Sequence, residues 1–128
     1  MNRDKLNALS KVILDSCMEV HKEVGPGLLE SVYTECLKAE FQVRKVQCAV
    51  EVPVNLEYKG HKLDKALRLD ILVENSIILE IKAVDKLLPV HEAQIISYLK
   101  LADKRLGFLV NFNTALIKNG FKRFVNDF

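Results

Sequence analysis

Two carboxylates and one amine pose the chemical question in this chain. Asp70 and Glu80 lie in two aliphatic, β-prone runs, Ala66–Glu74 and Ser76–Ala83, and Lys82 follows Glu80 by two positions. Side chains alternate along a strand. Arg68, Asp70, Glu80 and Lys82 therefore fall on the even-numbered face, and Leu67, Leu69, Ile71, Val73, Ile77, Leu79, Ile81 and Ala83 on the odd one. A three-residue connection over 74–76 would set Asp70 opposite Glu80 with Lys82 one step along, whereas a one-residue slip would separate them. Facing carboxylates repel unless a cation lies between them, and two carboxylates suit a hard, oxygen-seeking ion such as Mg²⁺. The competing interpretation, which spacing alone favours, is a solvated sheet face with ion pairs around Arg68 and Asp70 and between Glu80 and Lys82.

These residues need elements to position them. From Lys5 to Val24 the apolar residues Leu6, Leu9, Ile13, Cys17, Val20 and Val24 recur at steps of three and four, the period of an amphipathic helix that Gly25-Pro26-Gly27 ends. A second helical pattern follows in Leu28-Leu29, Val32-Tyr33 and Cys36-Leu37. Between Cys48 and Tyr58 the period becomes two, a strand placed at an edge by Pro53 and ended by a turn at Lys59-Gly60. The runs holding Asp70 and Glu80 then read as a hairpin around Asn75. Pro89 suits the first turn of a helix reaching about Ala102. On it Gln94 and Tyr98, four apart, share a face with His91 one turn earlier, a stripe that ordinary wet helix faces also show. Leu106–Val110 is continuously apolar, as expected of a strand buried on both sides and parallel to its predecessor. Residues 117–128 fit either a short strand or a short helix. The order predicts an α/β fold: a small mixed β-sheet, an antiparallel three-strand meander plus a parallel strand reached by a right-handed βαβ crossover, flanked by helices.

With 128 residues, 49% apolar and 28% charged, the chain is expected to form a single folded domain over 1–128. The longest charge-free stretch, Leu106–Ile117, contains two asparagines and is shorter than the roughly 20 apolar residues of a membrane span. No apolar signal core opens the chain, so no membrane partner and a cytoplasmic location are expected. The net charge of +2 does not identify nucleic acid as a partner by itself, but residues 100–128 hold six basic against two acidic side chains. Lys100, Lys104, Arg105, Lys118, Lys122 and Arg123 are thus candidates for contacting a nucleic-acid backbone, with a solvated basic face as the commoner explanation. Cys17, Cys36 and Cys48 form no Cys-x-x-Cys pair and read as reduced, buried thiols. Gly25-Pro26-Gly27 follows a helix and puts Glu30 where a dinucleotide loop needs glycine, and His91-Glu92 has Ile95 where a zinc-protease helix needs a second histidine. His21 and His61 have no evident partners and are assigned to surface or turn.

Asp70, nine intervening residues, Glu80-Ile81-Lys82 and then a helix bearing Gln94-x-x-x-Tyr98 together resemble the active-site signature of the PD-(D/E)XK nuclease superfamily. Gly27-Leu28-Leu29-Glu30-Ser31-Val32-Tyr33 also matches the motif that names the GxxExxY family, a small single-domain branch of it. The resemblance runs from about Leu9 to Phe124 and includes Gly107–Phe112. It implies a restriction-endonuclease-like core and a nuclease that cleaves DNA or RNA with Mg²⁺ or Mn²⁺. Residue by residue, it implies that Asp70, Glu80 and the Ile81 carbonyl hold the ion, with Glu30 as an additional acid. Lys82 orients or helps deprotonate the attacking water, and Gln94 and Tyr98 steady the site or contact the phosphate. The one departure is Leu69, where the pattern has proline. Glu30 and Tyr33 share a helix face, so a helix-dipole role for the acid and a packing role for the phenol compete with the functional ones. Two other functions remain open: a catalytically silent nucleic-acid-binding or scaffold module, and a homo-oligomeric interaction protein suggested by Phe112, Phe121, Phe124 and Phe128.

Overall fold

The computed structural model describes residues 1–128. Helix α1, Arg3–Val24, opens on Asn2, whose Oδ1 accepts the Lys5 N–H at 2.8 Å, and closes on Gly25 at φ 71°. Helix α2, Glu30–Val43, starts two residues later than the apolar pattern suggests. The reason is a turn held from below. The Tyr33 hydroxyl donates to the Gly25 carbonyl at 2.6 Å and accepts the Leu28 N–H at 3.1 Å, keeping residues 25–28 out of the helix.

Strands β1 (Cys48–Tyr58), β2 (His61–Val73) and β3 (Ile77–Lys82) form the antiparallel meander, and α3 (Pro89–Leu101) leads to β4 (Leu106–Asn111). The tail contains both expected alternatives, a 3₁₀ turn over Ile117–Gly120 and then β5, Phe121–Val125. The sheet order is β1-β2-β3-β4-β5, with β3 and β4 parallel and every other pair antiparallel. This is the mixed α/β sheet the sequence predicts, with β1 and Pro53 at an edge. No helix is long and apolar enough to cross a membrane. The β2–β3 connection is the three-residue one over 74–76, in which Glu74 and Asn75 both have φ near +50° and Ser76 N–H donates to Val73 O at 2.9 Å.

Strand β2 corrects the expectation most, beginning at His61 and not Ala66. His-Lys-Leu-Asp-Lys has little strand character of its own, but β1 supplies a template, pairing Tyr58 with His61 and Glu57 with Lys62.

Strict alternation also fails. Below the sheet, α1 and α2 close a core of seventeen buried residues, among them Ile13, Tyr33, Leu37, Ile71, Leu79 and Phe112; above it, Leu99 of α3 forms a smaller cluster with Leu69, Leu72 and Ile78 of the sheet. The even face of the hairpin is therefore apolar at Leu72 and Ile78, not ionic throughout. Moreover Val50 and Ile71, a cross-strand pair, pack below, while the next pair but one, Val52 and Leu69, packs above. Glu51, at φ 51° in mid-strand, makes this switch, because a left-handed residue rotates the strand about its axis.

The C-terminal phenylalanines are used inside the fold. Phe112 stacks on Tyr33 with centroids 4.3 Å apart and Phe108 on Phe121 at 4.6 Å, Phe124 packs against the α3 cluster, and Phe128 lies under the guanidinium groups of Arg3, Arg105 and Arg123. All three cysteines are free thiols; Cys17 is buried and Cys36 and Cys48 are half-buried. His21, expected at the surface without a partner, is half-buried with Nε2 2.8 Å from the Thr114 carbonyl, while His61 is exposed.

Candidate active site

The β2–β3 ladder pairs Val73 with Ile77, Leu72 with Ile78 and Ile71 with Leu79, and one more step in that register sets Asp70 against Glu80. At that step side chains replace the backbone rungs. Glu80 Oε2 accepts the Asp70 N–H at 3.0 Å, and Asp70 Oδ2 accepts the Ile81 N–H at 2.8 Å. The strands part here because each carboxylate is wedged between them, hooked to the opposite backbone by one oxygen. Oδ1 and Oε1, the other oxygens, accept no hydrogen bond.

Glu80 is only 3% exposed. Burial, and then the charge of Asp70, push its carboxyl up to about 8, against the partial opposition of the Asp70 N–H and Lys82. Asp70 is raised too, chiefly by burial; the Ile81 N–H and Lys82 pull the other way, while Glu30 and Glu51 add to the rise. Two acids starved of water, next to each other, create a demand for positive charge that Lys82 alone does not meet.

The other expected residues surround this pair from two sides. Glu30, exposed in the first turn of α2, lines a cavity of about 290 Å³ together with Asp70, Glu51, Glu35 and Val50, and its Oε2 receives a long 3.4 Å contact from the Ala83 N–H. On the α3 side Lys82 borders an opening with His91, Gln94 and Ser97. Gln94 Nε2 donates to the Tyr98 hydroxyl at 2.9 Å, and burial, reinforced by the Glu80 and Asp70 charges, raises that phenol. The polar stripe of α3 thus faces the carboxylates and not open solvent. His91 is turned to its own helix start, its Nδ1 accepting the Leu88 N–H at 3.0 Å. The ion pairs of a merely solvated face do not form: the two ion pairs in the chain are Arg44 with Glu40 and Lys122 with Glu92.

The C-terminal cations do not join the group. Lys104 donates to the Asn75 carbonyl and Arg105 to the Met1 carbonyl, at the opposite ends of β3 and β4 from Glu80 and Lys82. Lys122 is paired with Glu92 at 3.1 Å, Arg123 reaches Asn7 and Phe128, and Lys100 and Lys118 are exposed.

Two residues of the site escape sequence reading. Glu51 stands across from Asp70, since Val50 and Val52 pair with Ile71 and Leu69. A two-residue turn at Lys59-Gly60 would place it against Arg68, but the register shift between Asn55 and Glu57 moves it by two. Nothing local signals that bulge. Asn111 is 2% exposed at the end of β4, taking the Val84 and Asn113 N–H groups on Oδ1 and giving Nδ2 to the Val84 carbonyl. With the Phe112 N–H on the Lys82 carbonyl at 2.9 Å, it fixes the backbone from which Lys82 projects. An amide ending an otherwise apolar run was the available signal.

Comparison with curated proteins and with solved structures gives no match. The family model for the PD-(D/E)XK nuclease superfamily matches residues 7–124, a span that includes all but the first turn of α1, the whole of α2, the hooked carboxylates, Lys82 and the polar stripe of α3. On that match, extending over nearly the whole chain, the protein belongs to the PD-(D/E)XK nuclease superfamily.

Proposed function

We propose that the chain is a metal-dependent nuclease, hydrolysing phosphodiesters of DNA or RNA at Asp70, Glu80 and Lys82, and that residues 1–128 form one catalytic domain of the GxxExxY branch. The observation that carries this reading is the reciprocal hook: a buried Glu80 and a half-buried Asp70, each carboxylate pinned by one oxygen and presenting the other. No three His, Cys, Asp or Glu side chains gather around one point. The donor set is instead two carboxylates with the neighbouring Ile81 carbonyl. That fits Mg²⁺ or Mn²⁺, since Mg²⁺ characteristically takes one or two carboxylates and keeps several waters. Support for the branch comes from Gly27–Tyr33, where Tyr33 holds the turn that delivers Glu30 to the cavity beside Asp70.

A divalent ion held there supplies charge neutralisation at the phosphoryl group and a more acidic water. The rest falls to the chain. Asp70 and Glu80 fix the ligand position, because their hooks leave them little freedom. Glu30, on the wall of the cavity beside Asp70 and not gathered with the two carboxylates, adds negative charge from the α2 side. Lys82 orients the water whose oxygen forms the new bond to phosphorus, aids loss of its proton, and offsets the charge that builds as the ester P–O bond breaks. Gln94 and Tyr98, already bonded to each other, offer a donor pair to the phosphate.

The test is cleavage of labelled DNA and RNA with Mg²⁺, with Mn²⁺ and with EDTA, alongside Asp70→Asn and Lys82→Ala. Calorimetric Mn²⁺ titration provides a second readout. Expected are metal-dependent cleavage lost in both variants and Mn²⁺ binding lost in Asp70→Asn. Equal cleavage by all three proteins refutes the assignment.

A further inference from the structure

Beyond the carboxylates, β1 and β2 continue as a two-stranded arm. β2 pairs with β3 only over Ile71–Val73, so residues 52–69 have no third strand beside them. The base of the arm, Val52 and Val54, packs against the α3 cluster, but the tip does not: Tyr58 is 61% exposed and Leu63 44%. Along it lie Lys59, Lys62, Lys65 and Arg68, all exposed, against the acids Glu57 and Asp64. Lys62, Lys65 and Arg68 form neither an ion pair nor a side-chain hydrogen bond, and Lys59 lies over the Tyr58 ring at 5.4 Å. This contrasts with the C-terminal cations, four of which are engaged within the chain.

We infer that this arm is the surface that grips the phosphate backbone of the nucleic acid. The inference rests on the proposed nuclease function and specifies how substrate is held. Four features support it. The free cations form the electrostatic footprint of a polyanion, and Arg68 stands only two residues from Asp70 on the same strand, so a backbone tracked along the arm arrives at the carboxylates. Seven to nine residues per strand at about 3.3 Å each give a ribbon of roughly 25 Å, most of the ~34 Å turn of a duplex. A two-stranded ribbon also matches the width of a DNA major groove. Tyr58, beside Lys59 at the tip, offers a stacking face for an unpaired base.

The experiment measures binding separately from cleavage: fluorescence anisotropy of one DNA and one RNA duplex, in EDTA, with Asp70→Asn as the parent protein, across a salt series. Adding Lys62→Glu, Lys65→Glu and Arg68→Glu lowers affinity for whichever duplex binds by about tenfold or more and reduces the log–log salt slope by about three. Lys62→Arg with Lys65→Arg retains parent affinity, so a folding defect is not mistaken for lost contact. Tyr58→Ala costs about fivefold on a duplex with a single-stranded end. The inference is overturned if the triple variant keeps the parent's affinity and slope, if Lys104→Gln with Arg105→Gln causes the loss instead, or if phosphatidylserine-containing vesicles bind the arm more tightly than either duplex. Wild-type cleavage that the triple change leaves untouched would sink the arm and spare the nuclease. Arm-dependent binding with no metal-dependent cleavage would do the reverse.

Discussion

From Leu69 to Val73, strand β2 is covered from both sides and its alternate residues feed two different cores; from His61 to Ala66 the same strand has only β1 beside it and every residue is exposed. The inner half resembles a central strand of an α/β protein and the outer half a free ribbon. Asp70 stands near the boundary, where a left-handed Glu51 turns the apolar side of the hairpin from one layer to the other. On the proposed function, a strand that must stay rigid to hold an ion and reach outward to meet a polymer would do both by changing partners partway along. The site lies where the change occurs, since only there is a backbone edge released for carboxylates to take its place.

The largest effect expected at this boundary is kinetic. Asp70→Asn keeps an oxygen for the Ile81 N–H while removing the charge, so cleavage is expected to fall by about a thousandfold or more, with the melting temperature retained. A fall in both together would mean that Asp70 serves the fold and not the chemistry. Next comes the contrast between the halves. Ile71→Ala in the inner half should cost about 2–5 kcal/mol in denaturant unfolding and Leu63→Ala in the outer half about 0.5 or less; similar values would erase the distinction.

A third test uses pH. Glu80 titrates near 8 in the folded chain and near 4.5 otherwise, so between those values the folded state holds the extra proton. Its contribution to stability is complete below about 4.5 and is lost as pH rises through 8. Metal-free protein should therefore unfold at lower denaturant at pH 8.5 than at pH 5, and Glu80→Gln should flatten that decline. Mn²⁺ affinity should run the opposite way, rising with pH, because the ion displaces the proton. The smallest effect is at Tyr33. Tyr33→Phe keeps the stack on Phe112 but leaves the Gly25 carbonyl and Leu28 N–H unpaired, a loss of about 1 kcal/mol, with Mn²⁺ affinity reporting whether Glu30 shifts.

Much of this was legible in the residues, and the rest was hidden for identifiable reasons. The spacing of Asp70 and Glu80 foretold their juxtaposition because the hairpin turn is short and its register is fixed by which side chains must be buried. The Gln94 and Tyr98 pair followed from helical spacing. Glu51 was invisible because a bulge several residues away decides what it faces, and the long β2 because its first residues take their conformation from β1. The cations of the arm were masked by their neighbours. Between residues 51 and 99 six basic side chains are outnumbered by eight acidic ones, so the segment reads as acidic although four of the six basic side chains lie on the arm beside only two of the acids.

The reciprocal hook has a spectroscopic consequence. The amide protons of Asp70 and Ile81 rest on carboxylate oxygens and not on the carbonyls of a neighbouring strand. Their resonance positions and exchange with deuterium will follow the ionisation state of the two acids, with Asp70 N–H reporting on Glu80 and Ile81 N–H on Asp70. The chain thereby contains two native reporter nuclei for its own chemistry, readable in a ¹⁵N-labelled sample without any introduced label.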